Sequence, residues 1–220
     1  MPKSLANNTP LLHVTDIVNQ YMPFKGGYVK DEVLKRKMRL GKVSHAAIAM
    51  DARDKLDYDQ LHDDIKPYVD AWRLARDEMS IKVLQSETYM ECADLGLCGT
   101  TDMICNLKGE KTIIDFKCGV KDDVKHFLQL TGYTILHEIS SSDIKESYVE
   151  KIKTSTINRC ILYLKNNGHF IIVKDLKSFD DQANIFMSML NVMALQIRLG
   201  IIDIPERSRI EFHNCDDTIH

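Results

Sequence analysis

The sequence predicts an α/β protein in which a central mixed β-sheet is flanked by helices. Residues 82–119 consist of short apolar runs separated by glycines, as expected for successive strands. Segments with apolar residues at helical spacing lie before and after this region, and a hairpin pattern follows it. Strands framed by helices at both ends favour a mixed sheet with helical flanks.

The first third of the chain is predicted to be helical. Thr15 and the acid after it can cap a short helix that runs to about Tyr21. A charged stretch from Asp31 leads to Gly41, where we expect a break before a new helix. Apolar residues at amphipathic spacing then predict a helix over residues 58–78.

The rest of the chain alternates strands and helices. Strand breaks are expected at four glycines: Gly96, Gly99, Gly109 and Gly119. Helices are predicted over residues 122–137, near Ser142, and over 179–199 up to Gly200. Between them, two apolar runs that meet at Asn167-Gly168 predict a hairpin.

Length and composition indicate one domain over residues 1–220, since 220 residues with 44% hydrophobic content can bury one substantial core. We divide it into a helical part (about 10–80), a central sheet and helix (about 81–138) and a terminal hairpin and helix (about 159–200). The net charge of -3 gives no global positive field, so any basic surface must be local. The densest basic run is 34–42.

Two further features concern the cellular compartment. Six cysteines without a C-x-x-C pair make a disulfide framework or a structural zinc site unexpected. No apolar run approaches the length of a membrane span, and the N-terminus lacks the pattern of a signal peptide. We therefore expect a soluble, cytoplasmic or otherwise intracellular protein that does not bind membranes.

Three charged residues carry the chemical signal of the sequence. If Lys108-Gly109 forms a two-residue turn, residue 107 pairs with 110 and Asp102 lies directly opposite Asp115. A three-residue turn would shift this register by one. Lys117 shares a face with Asp115 because strand residues two apart point the same way.

Adjacent carboxylates repel, and a divalent cation removes that penalty. Mg²⁺ or Mn²⁺ prefers such oxygen ligands, and a nearby lysine can stabilise developing negative charge or orient an attacking water. This set of residues fits phosphodiester hydrolysis. The alternative is an ordinary surface ion pair between Asp115 and Lys117, worth about 0–1 kcal/mol.

The wider pattern resembles the RecB-type branch of the PD-(D/E)XK nuclease superfamily over about residues 10–137. The matching elements, in chain order, are Gly41-x-x-x-His45, Gly99-x-x-Asp102, Ile114-Asp115-x-Lys117 and Gln129-x-x-x-Tyr133. The eponymous proline is replaced by Thr101, and Cys118 stands where relatives often have Thr or Ser. The resemblance implies a restriction-endonuclease-like core.

The resemblance also implies roles for individual residues. His45, Asp102, Asp115 and the main-chain carbonyl of Phe116 would hold Mg²⁺ or Mn²⁺, and Glu87 would serve a second metal or a bridging water. Lys117 would assist the attacking water. Gln129 and Tyr133 would bind a phosphate of the substrate or brace the metal site.

The function expected from this resemblance is a Mg²⁺- or Mn²⁺-dependent deoxyribonuclease acting as an exonuclease on single-stranded DNA or duplex ends. A structure-specific endonuclease, a catalytically silent DNA-binding module and an unrelated α/β protein stay open as alternatives. Compact relatives in viruses and phages would place it in a host cell. A protein partner or homo-oligomer cannot be read from the sequence.

Overall fold

The computed structural model describes residues 11–23, 30–119, 121–140, 155–175 and 177–206. The helix predicted near Ser142 lies outside these residues. No helix in the described ranges combines the length and the apolar character required to cross a membrane.

A six-stranded mixed sheet forms the centre of the protein, as the sequence predicts. The strand order is β1-β3-β4-β5-β6, and β2 pairs with the other edge of β3. Strand β1 runs parallel to β3 and β4 runs parallel to β5, whereas the other pairs are antiparallel. The strands are β1 Leu12–His13, β2 Lys82–Cys92, β3 Leu97–Leu107, β4 Glu110–Lys117, β5 Asn158–Leu164 and β6 Phe170–Lys174.

Helices cover both faces of the sheet. One core cluster joins α2 and α3 to the sheet around Trp72 and Phe116. The opposite clusters join α1, α4 and α5 to it around Tyr133 and Phe186. The helices are α1 Val14–Tyr21, α2 Asp31–Asp51, α3 Lys66–Glu78, α4 Asp123–Ser140 and α5 Phe179–Arg198.

Two helices begin at residues other than those the sequence predicts. Helix α1 begins at Val14 with His13 as its cap, because the His13 Nδ1 accepts a 3.3 Å hydrogen bond from the amide of Thr15. Helix α3 begins eight residues after the predicted Tyr58, and Pro67 lies in its first turn, where its missing N–H costs nothing.

The breaks predicted at Gly41 and Gly99 are also wrong. Helix α2 continues through Gly41, since one glycine costs only about 1 kcal/mol relative to alanine. Strand β3 continues through Gly99, where a β-carbon would lie 2.8 Å from the ring of Tyr133. Gly99 therefore allows α4 to approach the sheet closely.

Candidate active site

The β3–β4 hairpin has the register that a two-residue turn predicts. Leu107 pairs with Glu110, and the ladder ends with Met103 opposite Ile114. Lys108 and Gly109 have φ values of 55° and 93°, as a type I′ turn requires. Asp102 and Asp115 occupy the next opposed positions beyond the end of the ladder.

At this end of the ladder, the side chain of Asp102 accepts a hydrogen bond from a backbone amide of β4. Its Oδ2 accepts a 2.7 Å hydrogen bond from the amide of Phe116, and its Oδ1 lies 3.2 Å from the Nδ1 of His45 on α2. On the edge of β3 that faces β4, the described partners are β1 at residues 97–98 and β4 at 103–107. Asp102 lies between these two stretches, where the strands diverge.

The charges of His45 and Asp102 support each other. Burial lowers the pKa of His45, but the Asp102 carboxylate outweighs burial and raises this pKa well above its ordinary value. Burial raises the pKa of Asp102, but the charge of His45 and its hydrogen bond outweigh that effect and lower it. The thiol of Cys118 also lies beside His45 and contributes to its raised pKa.

Glu87 on β2 completes a cluster with the same two residues. One ligand atom each from His45, Glu87 and Asp102 lie within 4.8 Å of one another. The register places Glu87 opposite Asp102, between the pairs Ser86–Met103 and Thr88–Thr101. Partial desolvation and the negative charge of Asp102 raise the pKa of Glu87.

The backbone at Glu87 is strained. Its φ of 49° lies in the left-handed region, which an L-residue other than glycine, asparagine or aspartate rarely adopts. Such conformations persist where the surrounding structure imposes them, and they concentrate at functional sites. The strain therefore marks Glu87 as a position of interest independently of its charge.

Asp115 and Lys117 form a second, more deeply buried part of the site. The Nζ of Lys117 lies 2.6 Å from the Oδ2 of Asp115, whose side chain is 3% exposed. Within the described residues this ammonium group is the polar contact of the buried oxygen. Burial raises the pKa of Asp115 to about 6, against the opposing effect of Lys117.

Lys117 is also held from the side of α4. Its Nζ donates a 3.1 Å hydrogen bond to the Oε1 of Gln129, whose Nε2 donates to the hydroxyls of Tyr133 at 2.9 Å and Thr15 at 3.3 Å. Because the amide nitrogen of Gln129 is directed to two hydroxyls, its carbonyl oxygen is directed to the lysine. Residues from α1 and α4 thus orient a side chain on β4.

The predicted site residues are brought together around the point where β3 and β4 diverge, with two qualifications. Asp115 lies outside the group formed by His45, Glu87 and Asp102 and faces Lys117. Tyr133 is only 3% exposed, so its hydroxyl contacts Gln129 and Thr15 inside the protein. This location favours bracing of the site over contact with a substrate.

The sequence analysis did not identify Thr15 or Cys118 as part of the site. Thr15 was considered as a helix cap, and its contact with Gln129 joins residues 114 positions apart. No local pattern signals such a contact. The position of Cys118 directly after Lys117 was visible, but its contact with His45 depends on how α2 packs.

The donor set fits a divalent cation. The cluster offers one imidazole nitrogen and two carboxylates, and a third carboxylate, that of Asp115, lies buried on the neighbouring strand. Mg²⁺ and Mn²⁺ prefer carboxylate oxygens, and imidazole suits the transition metals. His45, Glu87 and Asp102 therefore form a possible site for a divalent metal.

Comparison with known proteins gives only slight similarities. No family model matches the chain, and no curated protein is significantly similar to it. One solved structure, the crystal structure of SSO0001, has 13% sequence identity to this chain and a TM-score of 0.45. The match covers 88% of this chain and 80% of that one. An alkaline exonuclease (LHK-Exo) from Laribacter hongkongensis is 11% identical with a TM-score of 0.29, over 86% of this chain and 92% of that one. Similarities this slight assign neither a family nor an activity.

Proposed function

We propose that the protein is a Mg²⁺- or Mn²⁺-dependent deoxyribonuclease that hydrolyses phosphodiester bonds and acts as an exonuclease from DNA ends. The observation that carries the proposal is the convergence of His45, Glu87 and Asp102 beside a buried Asp115–Lys117 pair. The motif order supports it, since it resembles that of the RecB-type PD-(D/E)XK nucleases. The preference for ends depends on this resemblance alone.

The metal would be held by His45, Glu87 and Asp102, with Asp115 and the main-chain carbonyl of Phe116 as further ligands. A bound divalent cation supplies Lewis-acid activation of a phosphate oxygen and of water. The hydrogen bond from the Phe116 amide fixes the Asp102 carboxylate beside the end of the β3–β4 ladder. His45 is fixed from two directions, by Asp102 at 3.2 Å and by the edge-on ring of Phe116 at a centroid distance of 5.9 Å.

Lys117 would act on the attacking water and on the negative charge that develops at phosphorus. Its ammonium group keeps one contact to Asp115 and one to Gln129, and its third proton can donate to a water or a phosphate oxygen. The lysine side chain is 20% exposed. Gln129 and Tyr133 are positioning residues in this scheme.

The direct test is degradation of end-labelled linear single-stranded and duplex DNA in Mg²⁺, Mn²⁺ or EDTA. Wild type is compared with Asp115→Ala, Lys117→Ala and the control Glu91→Gln, an exposed acid on β2 outside the metal cluster. We expect metal-dependent cleavage that falls by about 100-fold or more in the two site variants. The control should retain it.

A closed circular duplex separates the two modes of attack. An exonuclease leaves the circle intact and releases nucleotides from linear DNA, whereas an endonuclease nicks the circle. If folded, metal-loaded wild type cleaves neither substrate, the hydrolase proposal is wrong and a DNA-binding role without catalysis takes its place.

The positioning role of Gln129 has a separate test. Gln129→Leu removes the oxygen that accepts from Lys117, and a hydrogen bond to a charged group is worth about 1.5–3 kcal/mol. We expect kcat to fall by about 10-fold or more with little change in KM. Tyr133→Phe keeps the ring and removes the hydroxyl that binds Gln129. This hydroxyl does not contact Lys117, so the effect on kcat should be smaller. Equal changes in KM for both variants would contradict the positioning role.

A further inference from the structure

The first half of α2 carries a row of positive side chains that the proposed active site does not use. Lys35, Arg39 and Lys42 are exposed. Because helix residues three, four and seven positions apart are neighbours on one face, these three residues form a stripe, which we call the basic stripe. Three residues further along the helix is His45, a member of the metal cluster.

The first half of α2 is exposed to solvent along its length. Residues 31–39 are exposed on every side of the helix, and the first buried residue of α2 is Ser44. Met38, beside the stripe, is 67% exposed. The face that carries the stripe has no buried residue before Ser44, whereas the face that carries Arg36 contacts Asp64. The stripe is therefore accessible to a partner.

The basic stripe is not neutralised by the rest of the described chain. Within the described ranges none of its three residues forms an ion pair, and Lys35 does not pair with Asp31 four residues before it. Two other positive residues of α2 do lie beside acidic groups. Arg36 is 3.3 Å from Asp64, and Arg36 and Lys37 both line a cleft that contains Asp64. Like charges at these spacings repel, and an anionic partner along the stripe would remove this cost.

We propose that the basic stripe binds the phosphate backbone of the nucleic acid and leads it to the metal cluster at His45. The proposal rests on the nuclease function. At a rise of about 1.5 Å per residue, Lys42, Arg39 and Lys35 lie about 4.5, 9 and 15 Å from His45 along the helix axis. Phosphates in a duplex strand repeat about every 3.4 Å of axis, so the distance from Lys35 to His45 corresponds to about four nucleotides.

This local stripe also reconciles nucleic-acid binding with the charge of the chain. The formal net charge is -3, so the protein as a whole does not attract a polyanion. The cluster of Glu87 and Asp102 repels phosphates until a cation is bound. Three adjacent positive charges beside that cluster supply the attraction that the rest of the surface lacks.

The test is the salt dependence of binding to a labelled DNA duplex in EDTA, where metal-dependent cleavage cannot occur. Each phosphate contact contributes about 0.9 to the slope of log K against log salt concentration. A triple variant with Lys35→Gln, Arg39→Gln and Lys42→Gln should therefore lose about 2.7 from this slope. When salt rises from about 50 to 200 mM, both proteins should lose affinity, and the fold-loss of wild type should be about 40 times that of the triple variant.

The matched control is Arg36→Gln with Lys37→Gln, which removes charge from the other faces of the same helix. We expect a much smaller loss of slope per charge removed, with circular dichroism showing that both variants are folded. An unchanged slope in the triple variant, an equal loss per charge in the control, or no binding by wild type would overturn the proposal. Cleavage is measured in a separate assay with metal. Cleavage without a change of slope would contradict the stripe alone, whereas absence of cleavage would contradict the nuclease function.

Discussion

Replacement of Glu87 by asparagine separates a metal-binding role from a structural one. Asparagine adopts the left-handed backbone conformation more readily than glutamate, and it removes the charge next to Asp102. If Glu87 is a metal ligand, the substitution should make the metal-free protein more stable but should not make the metal-loaded protein more stable. The two effects have opposite signs, which makes the result easy to interpret.

The size of the first effect follows from the geometry. A left-handed conformation costs an L-residue about 1–2 kcal/mol, of which asparagine recovers about 0.5 kcal/mol. Two full negative charges at the 4.8 Å limit of the cluster repel by about 3.5 kcal/mol at an effective dielectric constant of about 20. Solvent at Glu87 and the positive charge of His45 reduce this to about 1 kcal/mol. We therefore expect a gain of about 1–1.5 kcal/mol without metal.

The second effect follows from linkage. A ligand at about 100 times its Kd stabilises the folded state by about 2.7 kcal/mol. Wild type should gain this amount in Mn²⁺, and Glu87→Asn should gain much less, so the order of the two stabilities reverses. Both proteins are unfolded in urea with circular dichroism as the signal, once in EDTA and once over a series of Mn²⁺ concentrations.

The control is Glu91→Asn, which removes an exposed acid from the same strand. Its carboxylate accepts a 2.8 Å hydrogen bond from Tyr89 and lies outside the metal cluster, so the gain in Mn²⁺ should remain. If Glu87→Asn destabilises the metal-free protein, or if Mn²⁺ stabilises both Glu87→Asn and wild type equally, Glu87 is not a metal ligand and its strain has another cause.

Three stability predictions concern the scaffold. Asp51→Ala should cost about 2–4 kcal/mol in urea unfolding, because the buried carboxylate accepts a 3.0 Å hydrogen bond from the indole of Trp72 and tethers α2 to α3. Gly132→Ala should cost about 1–3 kcal/mol and lower the Tm, because the new methyl would lie 2.6 Å from the ring of Phe186. Gly41→Ala should instead add about 0.5–1 kcal/mol, because nothing lies within 4 Å of a β-carbon there. The same sign for both glycine variants would contradict the packing described for α4 and α2.

The hairpin that carries Asp102 and Asp115 was predictable because its register depends on local chemistry. The Lys108-Gly109 turn fixes which residues pair, and alternation along β4 then places Lys117 on the face of Asp115. The helical pattern of α5 was equally local, since it ends beside Gly200, whose φ is 68°. In each case the decisive residues are close together in the sequence.

The features that the sequence did not predict depend on contacts between distant segments. Gly99 was expected to end a strand, but the approach of Tyr133 explains it better. Nothing in the residues around Glu87 predicts a positive φ, because the flanking pairs of β2 and β3 impose it. Thr15 contacts the site only because α1 packs against α4, which no spacing in the sequence records.

The structure also determines which substitutions can test the proposed chemistry. Asp102 uses one oxygen to accept from the Phe116 amide and the other to contact His45, so its loss would disturb the end of the sheet as well as any metal site. An inactive Asp102 variant would therefore not distinguish a missing ligand from a displaced strand. Glu87 is exposed at the edge of the cluster, and within the described residues the Lys117 ammonium contacts the side chains of Asp115 and Gln129. In that part of the chain neither residue has a backbone partner of this kind. If folded Glu87→Asn loses the stabilisation by metal and folded Lys117→Ala loses cleavage, the two results identify the metal ligand and the catalytic cation separately.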